Sequence, residues 1–220
     1  MSLQLIIYVA IVIIEIICSY AGFREGVYVF KPLIMLSLLF WTRDYLKTHP
    51  WLWIGMWFGL GGDVFLMFGG QNMFMAGLGS FLVMQVFYII AFQKTLSSAG
   101  KQYLKVNWWK LVIPFALYGF IFLMILHSPI TDTPNNQGLW IPVVAYSICL
   151  CSMGVAAAFR FKSVSSTSFN WVLVGAVLFI LSDSGIALNK FLSPFEASTL
   201  FVMSTYAAAQ WLIVWGISKK

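Results

Sequence analysis

Residues 170–190 read NWVLVGAVLFILSDSGIALNK, and this stretch decides the fold class. Between Trp171 and Leu181 every residue is apolar or glycine. A helix rises 1.5 Å per residue, so about 20 residues cross a hydrocarbon core of about 30 Å. The stretch has that length. Asp183 lies inside it, where a charge costs at least about 2.5–3.5 kcal/mol on insertion scales. A carboxylate kept at that cost points to a function.

Seven similar stretches lie elsewhere in the chain: 3–21, 27–42, 51–69, 73–93, 108–126, 139–159 and 195–217. The sequence therefore predicts an all-α polytopic membrane protein with eight transmembrane helices, one transmembrane domain over residues 1–220. The longest connection, 94–107, is too short for a soluble domain. Composition agrees: of 220 residues, 61% are hydrophobic and 9% charged, against about 25% charged in globular proteins. So few ionised groups cannot dress a soluble surface, which excludes a cytosolic domain, a disordered chain and a nucleic-acid binder. The breaks carry turn chemistry. Gly69-Gly70-Gln71-Asn72 is a tight turn, and Thr131–Asn136 is a polar loop. Ser193-Pro194 offers an N-cap followed by proline at a helix start, and Pro32 and Pro142 sit near other starts. The first span has no basic flank or small-residue cleavage site, so a retained helix is expected.

Ten of the thirteen basic residues fall on one side of this topology: Arg43, Lys47, Lys94, Lys101, Lys105, Lys110, Arg160, Lys162, Lys219 and Lys220. Arg24, Lys31 and Lys190 fall on the other. The excess places both termini in the cytoplasm, and a bacterial cytoplasmic membrane is the expected location. Locally the first helix disagrees, with Arg24 after it and no side-chain charge before it. Trp41, Trp51, Trp53, Trp108, Trp109, Trp171 and Trp215 cluster near the cytoplasmic interface as an aromatic belt.

The costly polar groups converge on one depth. Glu15, Asp63 and Asp183 each stand twelve residues from the cytoplasmic end of their spans, about 18 Å up at helical rise. Lys31 is ten residues from Trp41, about 15 Å up, and either joins this layer or snorkels to the surface. Gln85 and Tyr88 share one helix face, Tyr206 and Gln210 another, and Tyr146 adds a third hydroxyl. Together these side chains predict a buried polar pocket in the outer half of the bundle. Alternatively, the carboxylates only bond neighbouring helices or pair with Lys31.

Glycines cut the helix of Asp63 for close approach, with Gly55 and Gly59 in small-xxx-small spacing and Gly61-Gly62 beside the acid. Gly62 serves packing or clears room for a ligand. Trp51, Gly55 and Asp63 recur as Trp171, Gly175 and Asp183 at an offset of 120 residues. That spacing suggests two four-helix halves in parallel duplication.

At these residues the chain resembles the YhhN-like family of membrane proteins, the lysoplasmalogenases. The matching runs are Lys31-Pro32, then Gly62-Asp63 with Leu66, then Gly77, Phe81, Tyr88 and Phe92. The most specific is Gly175-Ala176-x-Leu178-Phe179-x-x-Ser182-Asp183-Ser184. The likeness spans most of the chain, in order. In the family pattern a histidine stands four residues after the phenylalanine and three before the tyrosine. Here that position is Gln85, so any acid–base role of that histidine does not operate in this protein.

The resemblance implies hydrolysis of the vinyl ether bond of lysoplasmalogens to a fatty aldehyde and a glycerophospho-base, with a lysophospholipid substrate and membrane lipids as partners. Enol ethers hydrolyse by protonation on carbon, giving an oxocarbenium ion that water captures. Two carboxylates in different environments can divide such work. Asp63 and Asp183 are the candidate catalytic pair. Lys31, Glu15, Gln85, Tyr88, Tyr146, Tyr206 and Gln210 are the candidate substrate-binding set. Lys31, with Arg24 and Lys190 at the outer mouth, would hold the phosphate. No cofactor or metal is expected. Cys18, Cys149 and Cys151 lie in apolar runs, and His49 and His127 lack zinc-binding spacing. A transporter with an ionisable midplane site is the competing reading. A retinal-binding receptor is a more distant one, because Lys190 stands at the end of its span.

Overall fold

The computed structural model describes residues 3–136 and 138–219; Lys220, counted above on the cytoplasmic side, lies outside the described residues. Eight helices of 18 residues or more make up the described chain: α1 (Leu3–Tyr20), α2 (Arg24–Trp41), α4 (Pro50–Met67), α5 (Gln71–Gln93), α6 (Ser98–Thr131), α7 (Trp140–Ala158), α8 (Ser166–Ala187) and α9 (Ser198–Gly216). A single turn, α3 (Tyr45–Thr48), links α2 to α4, and no strand occurs among the described residues. Five stretches are long and apolar enough to cross a membrane: α1, α5, α6, α7, and α8 with its extension to Leu192. The other three are more polar in composition. α2 carries Arg24, Glu25 and Lys31, α4 carries Asp63 among four glycines, and α9 carries Gln210 among serines and threonines.

The surface reverses that of a soluble protein. Ile141 is 78% exposed and Phe40 68%, whereas Glu15, Gln85 and Gln210 are 1% exposed or less. Apolar side chains outside and polar ones inside suit a hydrocarbon solvent, which offers polar groups no hydrogen bonds.

The closest pairings are α4 with α5 and α8 with α9. Missing side chains make them possible. A Cβ on Gly55 would lie 2.9 Å from the Tyr88 ring, and one on Gly62 would lie 2.7 Å from the Phe81 ring. Gly62 therefore packs, and Phe81 already occupies the room a ligand would need. At Gly175 a Cβ would meet Ala209 O at 2.9 Å and Ile213 N at 3.0 Å. Both are backbone atoms and cannot swing away. Gly175→Ala should therefore cost about 1–3 kcal/mol, seen as a lower unfolding midpoint in detergent. Gly79→Ala, with open space around it, should leave the midpoint unchanged or raise it slightly.

Several boundaries differ from the sequence expectation by three residues or more, and two of them show why. The lysine-rich stretch before residue 108 is helical from Ser98, so α6 has 34 residues, about 51 Å at helical rise. Ser97 caps it by accepting from Gly100 N at 3.2 Å. Lys101, Gln102, Leu104 and Lys105 are good helix formers; their polarity marks where the apolar stretch stops, not where the helix stops. The last helix begins at Ser198 rather than 195, behind Ala197. The cause is upstream: α8 runs on into a π-helical turn, Leu188–Leu192, and Ser193 is extended. Ser193-Pro194 therefore sits in the connection and caps nothing. The turn at Gly69-Gly70 forms as expected, with Gly70 at φ +99°, where a side chain would be strained.

Arg160 ties the ends of three helices together and was not singled out in the sequence. It is fully buried. Its Nε donates to Thr95 Oγ1 at 3.0 Å, Nη1 to Ser168 O at 3.2 Å and Nη2 to Ser168 Oγ at 2.7 Å. Burial, then the nearby Arg160 charge, hold the His49 imidazole below its ordinary value, so His49 is neutral at pH 7.

Candidate active site

The two aspartates are each held by a tyrosine from a different helix. Tyr206 on α9 donates to Asp63 Oδ2 at 2.7 Å, and Tyr146 on α7 donates to Asp183 Oδ2. Phe81 stands edge-on to both Phe179 and Tyr206, at 6.2 and 6.0 Å between ring centres. Asp63 and Asp183 are near enough to feel each other's charge, and Asp63 also feels Lys31 and Glu15.

Their surroundings differ. Asp183 lies on the wall of an apolar cavity of about 60 Å³, with Tyr146, Tyr118 and Ser184 beside it. Leu78, Phe122, Leu126 and Leu150 are among the apolar residues that line the chamber. Asp63 is 3% exposed and lines neither this chamber nor the second cavity described next. Two carboxylates at the same sequence depth thus have different access.

A second cavity, about 280 Å³ and far more polar, holds Glu15, Ser19, Lys31, Asn189 and Lys190. Leu66, Phe74 and Ile186 line both spaces and form the partition between them. A polar vestibule thus backs onto an apolar chamber with a carboxylate in its wall. Lys190 Nζ lies 4.2 Å from the centre of the Phe74 ring, a cation–π contact that fixes it at the partition. Arg24 faces a neighbouring cavity that shares Ser19.

The remaining candidates lie buried behind the chamber wall, Gln85 beside Tyr146 and Tyr206 edge-on to Phe81. Tyr88 donates to Gln210 Oε1 at 2.8 Å, and Gln210 Nε2 reaches Met84 Sδ at 3.5 Å. Gln85 is fully buried, with no hydrogen bond of good geometry at either amide atom. Gln85, Tyr88, Tyr206 and Gln210 line neither cavity.

Three site groups escaped the sequence reading. Tyr118 on α6 shares a 2.7 Å hydrogen bond with Ser184 Oγ next to Asp183. It is the one tyrosine in an apolar run of α6, a signal of the kind used for Asp183. Tyr8 donates to Ala207 O at 2.9 Å and lies near Asp63. Its position seven residues before Glu15, on the same helix face, was the available clue. Asn189 enters the vestibule through the π-helical turn, which no pattern signalled. Among the described residues no cluster of three His, Cys, Asp or Glu side chains forms a metal-ligand set.

Comparison with known proteins identifies the family. The YhhN family profile matches residues 26–217. The chain is 29% identical over 187 residues to lysoplasmalogenase TMEM86A of Bos taurus, covering 82% of this chain and 71% of that protein. The Homo sapiens TMEM86A match has the same identity and coverage. Lysoplasmalogenase TMEM86B of Mus musculus is 29% identical over 186 residues, 84% of this chain and 71% of that protein. No solved structure matches the chain. With its apolar helices and a match running from Gly26 to Ile217, this integral membrane protein belongs to the YhhN family.

Proposed function

We propose that the protein is a membrane-embedded hydrolase that cleaves the vinyl ether bond of lysoplasmalogens, releasing a fatty aldehyde and a glycerophospho-base. The observation that carries this reading is Asp183 in the wall of an apolar chamber that shares a partition with a cationic vestibule. A lysolipid has the matching order of parts: an apolar chain, the ether bond, then a phosphate. Relatives named lysoplasmalogenase support the same substrate.

In this mechanism Lys31 and Lys190 hold the phosphate, and the alkenyl end enters the chamber past Leu66, Phe74 and Ile186. Tyr146 donates to Asp183 Oδ2, which leaves Oδ1 to carry the acidic proton. Asp183 transfers that proton to the outer alkene carbon, and an oxocarbenium ion forms at the carbon bonded to oxygen. Water adds to that carbon, and the Asp183 carboxylate takes the proton the water releases. The hemiacetal collapses to aldehyde and alcohol. Asp63, one layer behind Phe81, balances the cation through its charge. The scheme uses no metal or cofactor.

The same proposal makes all eight long helices membrane crossings, with both termini cytoplasmic in a bacterial inner membrane. α2, α4 and α9 are polar where they supply Lys31, Asp63, Tyr206 and Gln210 to the interior. A 4+4 duplication has support in the repeated neighbours: α1–α2–α4–α5 pack in series, as do α6–α7–α8–α9.

Turnover by pure protein in detergent tests the function. Alkenyl lysophospholipid should give aldehyde, and the acyl analogue should give no fatty acid. A transporter would release neither, because it needs two compartments to act.

A further inference from the structure

The vestibule holds one charge that a phosphate does not need. Lys31 and Lys190 bring positive charge to it, and Glu15 brings a carboxylate to the same space. Glu15 is 1% exposed. Its Oε1 accepts from Ser19 Oγ at 3.3 Å, while its Oε2 is buried with no hydrogen-bond partner. Among the described residues Lys31 is near enough for its charge to act on Glu15, but no lysine or arginine closes an ion pair with it. A buried carboxylate oxygen that has lost water and gained no donor is costly. A cation arriving with the ligand would supply the missing donor.

We infer that the vestibule is a receptor for a zwitterionic phosphoethanolamine head group: Lys31 and Lys190 take the phosphate, and Glu15 takes the primary ammonium. The inference rests on the lysoplasmalogenase reading and makes Glu15 the residue that sets head-group preference. An ammonium carries N–H donors, and Glu15, Ser19 and Asn189, which line one cavity, carry oxygen acceptors, that of Asn189 already taking Phe195 N at 3.3 Å. A quaternary choline has no N–H to donate and is recognised on aromatic faces. Phe74 is the aromatic wall here, and Lys190 already sits over it at 4.2 Å. The cavity therefore favours ethanolamine over choline.

Binding tests this without relying on turnover. Two saturated alkyl-ether lysophospholipids that cannot be cleaved, one phosphoethanolamine and one phosphocholine, are titrated into the full-length protein in detergent and followed by tryptophan fluorescence. The expected preference for phosphoethanolamine is about tenfold or more. Glu15→Gln should erase it, weakening phosphoethanolamine about tenfold and phosphocholine by less than about threefold. Lys190→Gln should weaken both ligands alike, since the phosphate is common to them. If Glu15→Gln does not fold, Ser19→Ala serves, with the preference expected to fall by about threefold. Equal wild-type affinities, or a Glu15→Gln effect equal for both ligands, would overturn the receptor and leave Glu15 as an internal partner of Lys31. Aldehyde release separates the two levels. Intact preference with no aldehyde sinks the hydrolase alone, and intact turnover with no preference sinks the receptor alone.

Discussion

Asp183→Asn lowers kcat/KM for aldehyde release by about 10³-fold or more while the protein keeps its unfolding midpoint. The amide has the shape of the acid, so Tyr146 and the chamber wall keep their packing, but it has no proton acidic enough to deliver to carbon. General acid–base catalysis by a positioned group supplies about 10²–10⁴-fold. In the proposed mechanism one carboxyl acts twice, as acid and then as base, which places the loss in the upper part of that range. Binding of the uncleavable alkyl analogue should be little changed, because the phosphate is held in the vestibule. The check is kcat/KM beside that binding constant. Near-normal turnover in a folded variant would remove Asp183 from the chemistry.

Asp63→Asn should cost less, about 10²-fold in kcat, with KM nearly constant. In the proposed mechanism its carboxylate is walled off from the substrate and acts through space on the cation, so the loss would belong to the transition state rather than to binding. Tyr206→Phe provides the companion measurement. Removing the 2.7 Å hydrogen bond leaves the Asp63 charge in place, so its cost should be several-fold rather than a hundredfold. If Asp63→Asn raises KM and spares kcat, Asp63 contacts the substrate and the division between the two aspartates is wrong. If Asp63→Asn and Asp183→Asn give equal losses, both carboxylates act directly on the substrate.

The sequence showed the helices because charge and apolar runs dictate them in a membrane chain, and it picked out both aspartates because they break those runs. The tyrosines were visible as polar residues at the right depth, but their pairing was not. Tyr206 serves Asp63 from 143 positions away, a partnership between α9 and α4 that only the tertiary arrangement sets. Asp63 and Asp183 share a sequence context at the 120-residue offset, yet Asp183 lines the apolar chamber and Asp63 does not. That difference comes from Phe81, which fills the space over Gly62, and ring placement leaves no trace in a periodic pattern. The start of α6 was hidden for another reason: lysines that end an apolar stretch do not end a helix. The π-helical turn after α8, which delivers Asn189 and Lys190 to the vestibule, depends on packing against α6 and has no sequence signal of its own.

Proton transfer to carbon leaves a permanent label, and that label is the most direct test of the proposed chemistry. Purified protein in detergent is given alkenyl lysophospholipid in heavy water, and the aldehyde is reduced to its alcohol as it forms. Protonation of the outer alkene carbon by the enzyme's acid predicts one deuterium per product, on the carbon next to the former carbonyl, and none of this product from Asp183→Asn. Aldehyde without deuterium at that carbon, or fatty acid in its place, would contradict the vinyl ether mechanism.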